Sequence, residues 1–74
     1  MSITPEQCRM ARAALRMSQT TLARRADVAA ATVAEFERGR RTPYERTLRD
    51  IQKVFEGAGV KFTDDGVIVK KVQP

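Results

Sequence analysis

The fold is decided by residues 18–43, which read SQTTLARRADVAAATVAEFERGRRTP. This stretch predicts two short helices, over about residues 19–25 and 30–38, with a tight turn between them and an arginine-rich loop after them. Ser18 is placed to cap the helix at residues 19–25. Gly39 is placed to end the helix at residues 30–38, because glycine tolerates the left-handed conformation common after a helix. Apolar residues at helical spacing give the two helices one shared face to bury: Leu22, Ala23, Ala26, Val28, Val33 and Phe36.

The same stretch resembles the helix-turn-helix family of phage Cro and cI repressors and their small bacterial relatives. The resemblance rests on two ordered patterns, SQxxLAxxAxV starting at Ser18 and TVxxFExGxxxP running from Thr32 to Pro43. It implies a helical domain whose third helix lies in the major groove of double-stranded DNA. Most relatives carry a fifth helix after the fourth, so the resemblance ends near residue 58. It also implies a bacterial or phage origin. Because the sequence has no apolar run of membrane-span length and no signal-peptide core at its start, we expect a cytoplasmic location, associated with the nucleoid when DNA is bound.

Length and charge limit the classes of partner. A chain of 74 residues predicts one small domain, near the size at which a core alone gives marginal stability, so oligomerisation is expected. Lys and Arg number 14 against 9 Asp and Glu, which gives a net charge of +5. Such a balance favours a polyanion, nucleic acid first, with an acidic protein or membrane surface behind it. No apolar run reaches the length of a membrane span, and no membrane partner is expected.

The residue types argue against an enzyme and against a metal site. The sequence contains no histidine, and Cys8 is its single cysteine, so neither a disulfide nor a metal cluster is expected. Cys8 falls on the apolar side of the first predicted helix and is interpreted as a core residue. Asp64 and Asp65 lie in an obvious turn, and there is no glycine-rich phosphate loop. We therefore expect no catalytic residue, no metal and no cofactor.

The first helix has a strong start signal. Thr4 is placed as the cap, Pro5 as the first helical residue and Gln7 as the capping-box partner. The helix should run to about Arg16. Its buried stripe is predicted to be Cys8, Ala11 and Leu15, flanked by Met10 and Ala14.

The resemblance implies an ion pair between Arg12 of this helix and Glu37, near the end of the third helix. In the family such a pair is partly buried and fixes how the first and third helices meet, and removal of one partner strands the other charge. The alternative is two separate surface charges.

The third helix departs from the family pattern. The glycine usual at the turn is Asp27, which tolerates a left-handed backbone, and the serine usual as helix cap is Ala29, which forfeits a bond worth about 1 kcal/mol. Alanine can contact a thymine methyl but cannot hydrogen-bond a base, whereas Glu35 can accept from a cytosine amino group. Specificity then comes from arginines and DNA shape, or this face does not contact DNA. The resemblance places the following residues at or near base-contacting positions: Ala29, Ala30, Ala31, Thr32, Ala34 and Glu35.

The resemblance also implies phosphate contacts, which give affinity without sequence information. Gln19 matches a family glutamine that opens the second helix and bonds phosphate while it braces the recognition helix. Arg40 and Arg41 lie in the loop where relatives contact the DNA backbone. Arg24 has the alternative of a solvated helix face. The other residues expected to contact DNA are Gln19, Thr20, Arg24, Arg38, Arg40 and Arg41.

The remainder of the chain predicts a fourth helix and a β segment. Thr-Pro-Tyr-Glu at residues 42–45 predicts a second capping box, and the helix after it has the apolar stripe Leu48, Ile51 and Phe55. The pattern then alternates, and Asp65-Gly66 is a strong hairpin signal. We predict a helix-turn-helix domain at residues 1–58 and a C-terminal β segment at residues 59–74. The strands can pair with those of a second subunit in a two-fold dimer, or form a hairpin on their own fourth helix.

The expected fold class is mainly α, a four-helix lambda-repressor-like domain with a short C-terminal β-hairpin or strand pair used in dimerisation. The expected function is a sequence-specific dimeric repressor, with autoregulation as one form, that binds an inverted-repeat operator. The alternative is a protein-binding antitoxin or antiactivator, which the smooth alanine-rich face favours. Expected partners are double-stranded DNA, a second copy of the chain and, among proteins, a toxin, an activator or RNA polymerase.

Overall fold

The computed structural model describes residues 2–70, which form four helices followed by a two-stranded antiparallel sheet. The elements are α1 (Pro5–Leu15), α2 (Gln19–Ala26), α3 (Ala30–Glu37), α4 (Glu45–Gly57), β1 (Val60–Phe62) and β2 (Val67–Val69). The predicted mainly α fold with a C-terminal strand pair is confirmed. Residues 71–74 of the predicted β segment lie outside the described residues, and the division of the chain after residue 58 stays a prediction.

The first two helices begin and end where local side-chain chemistry allows it. Thr4 Oγ1 accepts from the Gln7 amide at 3.1 Å, and Gln7 Oε1 accepts from the Thr4 amide at 3.0 Å, so the capping box of α1 is present. Ser18 caps α2 by accepting from the Thr21 amide at 3.0 Å. Asp27 ends α2 with φ at 59°, a left-handed conformation that its short polar side chain tolerates.

Helix α3 begins without a side-chain cap, because the Ala29 side chain has no oxygen that could accept from the first-turn amides. Gly39 follows the helix with φ at 76°, and its amide donates to the Phe36 carbonyl at 2.9 Å. A left-handed residue here turns the chain sharply into the loop that leads to α4.

The capping box predicted at residues 42–45 is wrong. Tyr44, not Thr42, is the cap of α4, its backbone is extended at φ −58° and ψ 153°, and no side chain caps the helix. Glu45 is then the first helical residue rather than the third, which is too early to reach back to a cap amide. Its carboxylate instead accepts from Ser2 Oγ at 3.3 Å. Residues 42–44 therefore immediately precede α4, which is one of the two placements that the sequence leaves open.

The core lies where α2, α3 and α4 meet, and α1 closes it from the side of α3. Its buried apolar residues are Ile3, Cys8, Ala11, Leu22, Ala23, Ala26, Val33, Phe36, Leu48, Ile51, Phe55 and Val60. The shared face predicted for α2 and α3 is thus buried, except that Val28 in the turn is half-buried and packs against the core. Met10 and Ala14 are exposed instead of flanking the core, because α1 buries only a narrow side against α3 and β2.

The two strands pair with each other within the chain. The register places Val60 opposite Val69, Lys61 opposite Ile68 and Phe62 opposite Val67. Val60 is 3% exposed, and the Phe62 ring lies edge-on to Phe55 of α4 with the ring centroids 5.9 Å apart. The chain therefore forms a hairpin that packs on its own fourth helix, and pairing of these strands with those of a second subunit stays a prediction.

Gln7 clasps the hairpin turn to α1. Its buried side chain donates from Nε2 to the carbonyl oxygens of Thr63 at 2.5 Å and Gly66 at 3.1 Å. Because Oε1 already accepts from the Thr4 amide, the same side chain completes the helix cap and holds the hairpin.

We expect Gln7→Ala to lower the free energy of unfolding by about 1–2 kcal/mol, because it removes the donor for two carbonyl groups of the turn. Gln52→Ala is the matched control, since Gln52 makes an exposed hydrogen bond to Glu56 within α4. The control should change stability by less than about 0.5 kcal/mol. Urea unfolding followed by circular dichroism measures both variants, and equal unfolding midpoints would contradict the clasp.

Candidate nucleic-acid interface

Three helices meet at the carboxylate of Glu37, the last residue of α3. Arg12 of α1 donates to it twice, from Nε to Oε2 and from Nη2 to Oε1, both at 2.7 Å. Gln19 of α2 donates from Nε2 to Oε1 at 3.0 Å, and Cys8 of α1 donates from Sγ to Oε2 at 3.0 Å. Glu37 is 4% exposed and the Arg12 side chain is 21% exposed, so Arg12 and Glu37 form a partly buried ion pair rather than two separate surface charges.

The backbone around this carboxylate is fixed as well. Arg12 Nη1 donates to the Met17 carbonyl at 3.0 Å and so holds the connection between α1 and α2. The guanidinium of Arg9 donates to the carbonyl oxygen of Glu37. Together these bonds set the position of α3 against α1 and α2, which is the condition for presenting one face of α3 to a partner.

The protonation states follow from burial and hydrogen bonding. Burial by itself would raise the pKa of Glu37, but the hydrogen bonds that the carboxylate accepts, Arg12 first, outweigh it and hold that pKa below its usual range. Burial, and then the hydrogen bond with Glu37, raise the pKa of the Cys8 thiol well above its ordinary value. At neutral pH the carboxylate is therefore ionised and the thiol protonated, as the direction of the hydrogen bond between them requires.

The outer face of α3 carries mostly small side chains. Val33 and Phe36 point into the core, at 0% and 3% exposure, and leave the opposite face to solvent. On that face Ala29, Ala30 and Ala31 are exposed, and Thr32, Ala34 and Glu35 are half-buried. The face therefore offers one carboxylate and one hydroxyl among methyl groups.

A groove runs between this face and the loop that leads into α4. It is lined by Ala31, Thr32, Glu35, Arg41, Thr42, Pro43, Tyr44 and Thr47. Tyr44 is 88% exposed at the rim. The groove thus combines small apolar side chains, hydroxyl groups, a guanidinium and a carboxylate, a set that can contact base edges as well as a sugar-phosphate backbone.

The predicted contact residues divide between the groove and the surface around it. Those that line the groove are Ala31, Thr32, Glu35 and Arg41. Those that are exposed outside it are Thr20, Arg24, Ala29, Ala30, Arg38 and Arg40. Gln19 is half-buried, and its side-chain amide donates one of its two N–H groups to Glu37.

Two features of this region are not predicted from the sequence. Tyr44 is predicted only as part of a helix start, although a large aromatic side chain three residues after Arg41 in a polar loop is a signal for a surface contact. Cys8 was assigned to the core, where it is, but its hydrogen bond to Glu37 joins residues far apart in the chain and had no local signal.

Comparison with known proteins gives one family. A family model described as helix-turn-helix matches residues 9–58, more than half of the chain, including all of α2, α3 and α4. No curated protein matches the chain. Between residues 2 and 70, no helix is long and apolar enough to cross a membrane, and no cluster of three or more His, Cys, Asp or Glu side chains is arranged to hold a metal ion.

Proposed function

This chain belongs to the helix-turn-helix family of DNA-binding transcription regulators, and we propose that it is a dimeric repressor of an inverted-repeat operator. The observation that carries the proposal is the outer face of α3, which packing leaves free and the arginine loop borders. The family is not typically enzymatic, and the proposal includes no catalytic role. A regulator of this kind would act in the cytoplasm, at the nucleoid.

In the proposed complex, α3 lies in the major groove. That groove is about 12 Å wide in B-DNA and admits one α-helix. Because the Glu37 carboxylate anchors the end of α3 to α1 and α2, the helix can enter the groove as a rigid element. The side chains that would face the base edges are Ala29, Ala30, Ala31, Thr32 and Glu35.

Affinity in this complex comes mainly from phosphates. Each phosphate that an arginine neutralises releases condensed counterions, so binding should weaken steeply as salt rises. Since these contacts carry no sequence information, selectivity is left to α3 and to DNA shape. The side chains proposed to hold the backbone are Gln19, Thr20, Arg24, Arg38, Arg40 and Arg41.

The hairpin offers a surface for a second subunit. A sheet of two short strands has edges whose amide and carbonyl groups can pair with another chain. Ile68 lies opposite Lys61 on the outer face of the sheet and is 52% exposed, and an apolar side chain of this kind suits the centre of an interface. A two-fold pairing there would direct the two α3 helices to half-sites about 10 base pairs apart.

We expect Ile68→Lys to convert the dimer into a monomer, because a lysine in the outer face of β2 places a charge in the proposed interface. Met10→Lys is the matched control, since Met10 is 38% exposed on α1. Light scattering gives the mass of each variant. An Ile68→Lys protein that stays dimeric would contradict the proposed interface, and a wild-type protein that is monomeric when it saturates DNA would contradict the dimer itself.

Repression by such a domain needs only occupancy of promoter DNA. A regulator that binds its own promoter would also limit its own synthesis, which is the autoregulatory form of the proposal. Activation would require an exposed face of the bound domain to contact RNA polymerase.

A protein-binding antitoxin or antiactivator is the second candidate, and the exposed alanines of α3 favour it. Ala30 and Ala31 form a smooth, weakly apolar surface against which a helix of a toxin or an activator could pack. The exposed guanidinium groups of Arg40 and Arg41 beside that surface favour DNA instead. Reversal of these two charges separates the candidates.

Hydroxyl-radical footprinting on bound promoter DNA tests the proposal. A dimer with α3 in successive major grooves should protect two half-sites about 10 base pairs apart on one side of the duplex. A single protected half-site would contradict the two-fold arrangement, and protection without a preferred position would contradict operator recognition.

A further inference from the structure

Glu35 places a negative charge on the surface that is proposed to bind the negatively charged DNA. It is the acidic member of the groove lining, in which Arg41 is basic. A carboxylate held near phosphates repels them, so Glu35 lowers the affinity of the domain for DNA of any sequence. Such a residue is useful to a DNA-binding protein when it gains a contact on some sequences and not on others.

The carboxylate of Glu35 is oriented but still free to accept hydrogen bonds. Its Oε2 lies 3.7 Å from Nη1 of Arg38, and the Glu35 and Arg38 side chains are 36% and 66% exposed. That separation fits an ion pair but is too long for a hydrogen bond. Glu35 therefore differs from Glu37, whose two oxygens are both occupied by donors.

The neighbours of Glu35 leave room for a base edge. Ala31 and Thr32 lie one turn earlier on α3 and line the same groove. Alanine carries no group that competes for the carboxylate, and both side chains are small. A base edge can therefore approach the carboxylate between α3 and the arginine loop.

The chemistry of the base edges decides which base fits a carboxylate. In the major groove cytosine presents the N4 amino donor, whereas guanine presents the N7 and O6 acceptors and thymine the O4 acceptor. Adenine presents the N6 donor but places the N7 acceptor beside it. Cytosine is thus the base whose own major-groove edge presents a donor and no acceptor, and the O6 acceptor of its paired guanine adjoins the N4 group on one side only, whereas adenine N6 has an acceptor on both sides.

We propose that Glu35 selects the operator by accepting a hydrogen bond from the N4 amino group of one cytosine in each half-site and by repelling duplexes that present an acceptor there. This inference rests on the proposed function, because it requires α3 in the major groove. Arg38 acts as a positioning residue that orients the carboxylate and offsets part of its charge. Discrimination then arises from rejection of other sequences as much as from attraction to one.

The test compares the wild type with Glu35→Gln on three kinds of duplex at one salt concentration: the sequence that the wild type selects, the same sequence with each C·G pair replaced in turn, and an arbitrary sequence. For the wild type, replacing one C·G pair in each half-site should weaken binding about tenfold. For Glu35→Gln, that preference should fall to about twofold or shift towards adenine, which an amide contacts well. Its affinity for the arbitrary duplex should rise about threefold or more, because one repulsive charge is gone.

Glu6→Gln is the matched control. Glu6 has a 69% exposed side chain and also pairs with an arginine three residues later, Arg9, at 4.0 Å, but it lies on α1. The Glu6→Gln substitution removes the same charge as Glu35→Gln does, but outside the groove. It should therefore raise affinity for the arbitrary duplex less than Glu35→Gln does and leave the base preference unchanged. Equal melting temperatures of the two variants would show that the fold is not the cause.

The outcomes separate this inference from the proposed function. A Glu35→Gln protein that keeps the cytosine preference, or that gains no more affinity for the arbitrary duplex than Glu6→Gln, would overturn the role of Glu35 alone. A wild type that selects an operator with no required C·G pair would do the same. A wild type that selects no sequence would overturn the proposed function, and the inference with it.

Discussion

Replacing Glu37 with alanine is expected to lower the free energy of unfolding by about 3 kcal/mol, because it leaves the largely buried Arg12 guanidinium without its carboxylate. The Arg12 side chain is 21% exposed and that of Glu37 is 3% exposed, so solvent compensates little for the lost pair. The thiol of Cys8 and the amide of Gln19 lose their acceptor as well. For a domain of this size the loss corresponds to a drop in melting temperature of about 12–24 °C. Thermal unfolding followed by circular dichroism measures it.

Two further variants serve as controls for the Glu37→Ala protein. Glu6→Ala removes an exposed glutamate whose arginine partner is 4.0 Å away, and it should change stability by less than about 0.5 kcal/mol. Glu37→Gln keeps the shape of the side chain and one acceptor oxygen, so it should fall between the wild type and Glu37→Ala. Equal melting temperatures for the Glu37→Ala and Glu6→Ala proteins would show that the ion pair does not hold α3 in place.

Reversing both loop charges, Arg40→Glu with Arg41→Glu, is expected to weaken DNA binding on the order of 1,000-fold at near-physiological salt. Two phosphate contacts are lost and two like-charge repulsions replace them, which together cost several kcal/mol. The dependence of log affinity on log salt should become shallower by about 2. Both residues are exposed in the loop after α3, so the fold should be retained. Fluorescence anisotropy with a labelled operator measures affinity across a salt series.

The control for this experiment makes the same charge change elsewhere. Arg49→Glu with Lys53→Glu reverses two exposed charges on α4, away from the groove. It alters net charge equally and should weaken binding far less. If the loop variant still regulates its target gene as the wild type does, the arginine loop does not serve DNA binding, and the antitoxin or antiactivator candidate takes precedence.

Local signals predicted the helices well where their ends depend on neighbouring residues. Thr4 with Gln7, and Ser18 with the first turn of α2, form the caps that their spacing indicates. The same type of signal failed at residues 42–45. Tyr44 there adopts an extended backbone and is the cap of α4, and the pattern of side chains cannot show at which residue the helix begins.

Contacts between residues far apart in the chain could not be predicted from the sequence. The clasp of Gln7 on the hairpin turn joins residues that lie more than 50 positions apart, and no periodicity reports such a bond. The alternating pattern after α4 predicted strands, but strand pairing within or between chains depends on tertiary packing. In the intrachain hairpin, Phe62 of β1 packs on Phe55 of α4.

The site was predicted unevenly. The pairing of Arg12 with Glu37 came from the family resemblance, and the structure places their side chains 2.7 Å apart. The additional donors to that carboxylate, from Cys8 and Gln19, become visible only when three helices are brought together. The DNA contacts of α3 and of the arginine loop stay predictions, because their partner is a duplex that must be bound to test them.

Selection of genomic DNA fragments by the purified protein, repeated at low and near-physiological salt, tests whether this chain is a sequence-specific dimeric regulator. We expect enrichment of an inverted repeat that survives the higher salt, with a required cytosine in each half-site. Binding that enriches no sequence and disappears as salt rises would reflect phosphate attraction alone. That result would contradict the account of this chain as a sequence-specific regulator.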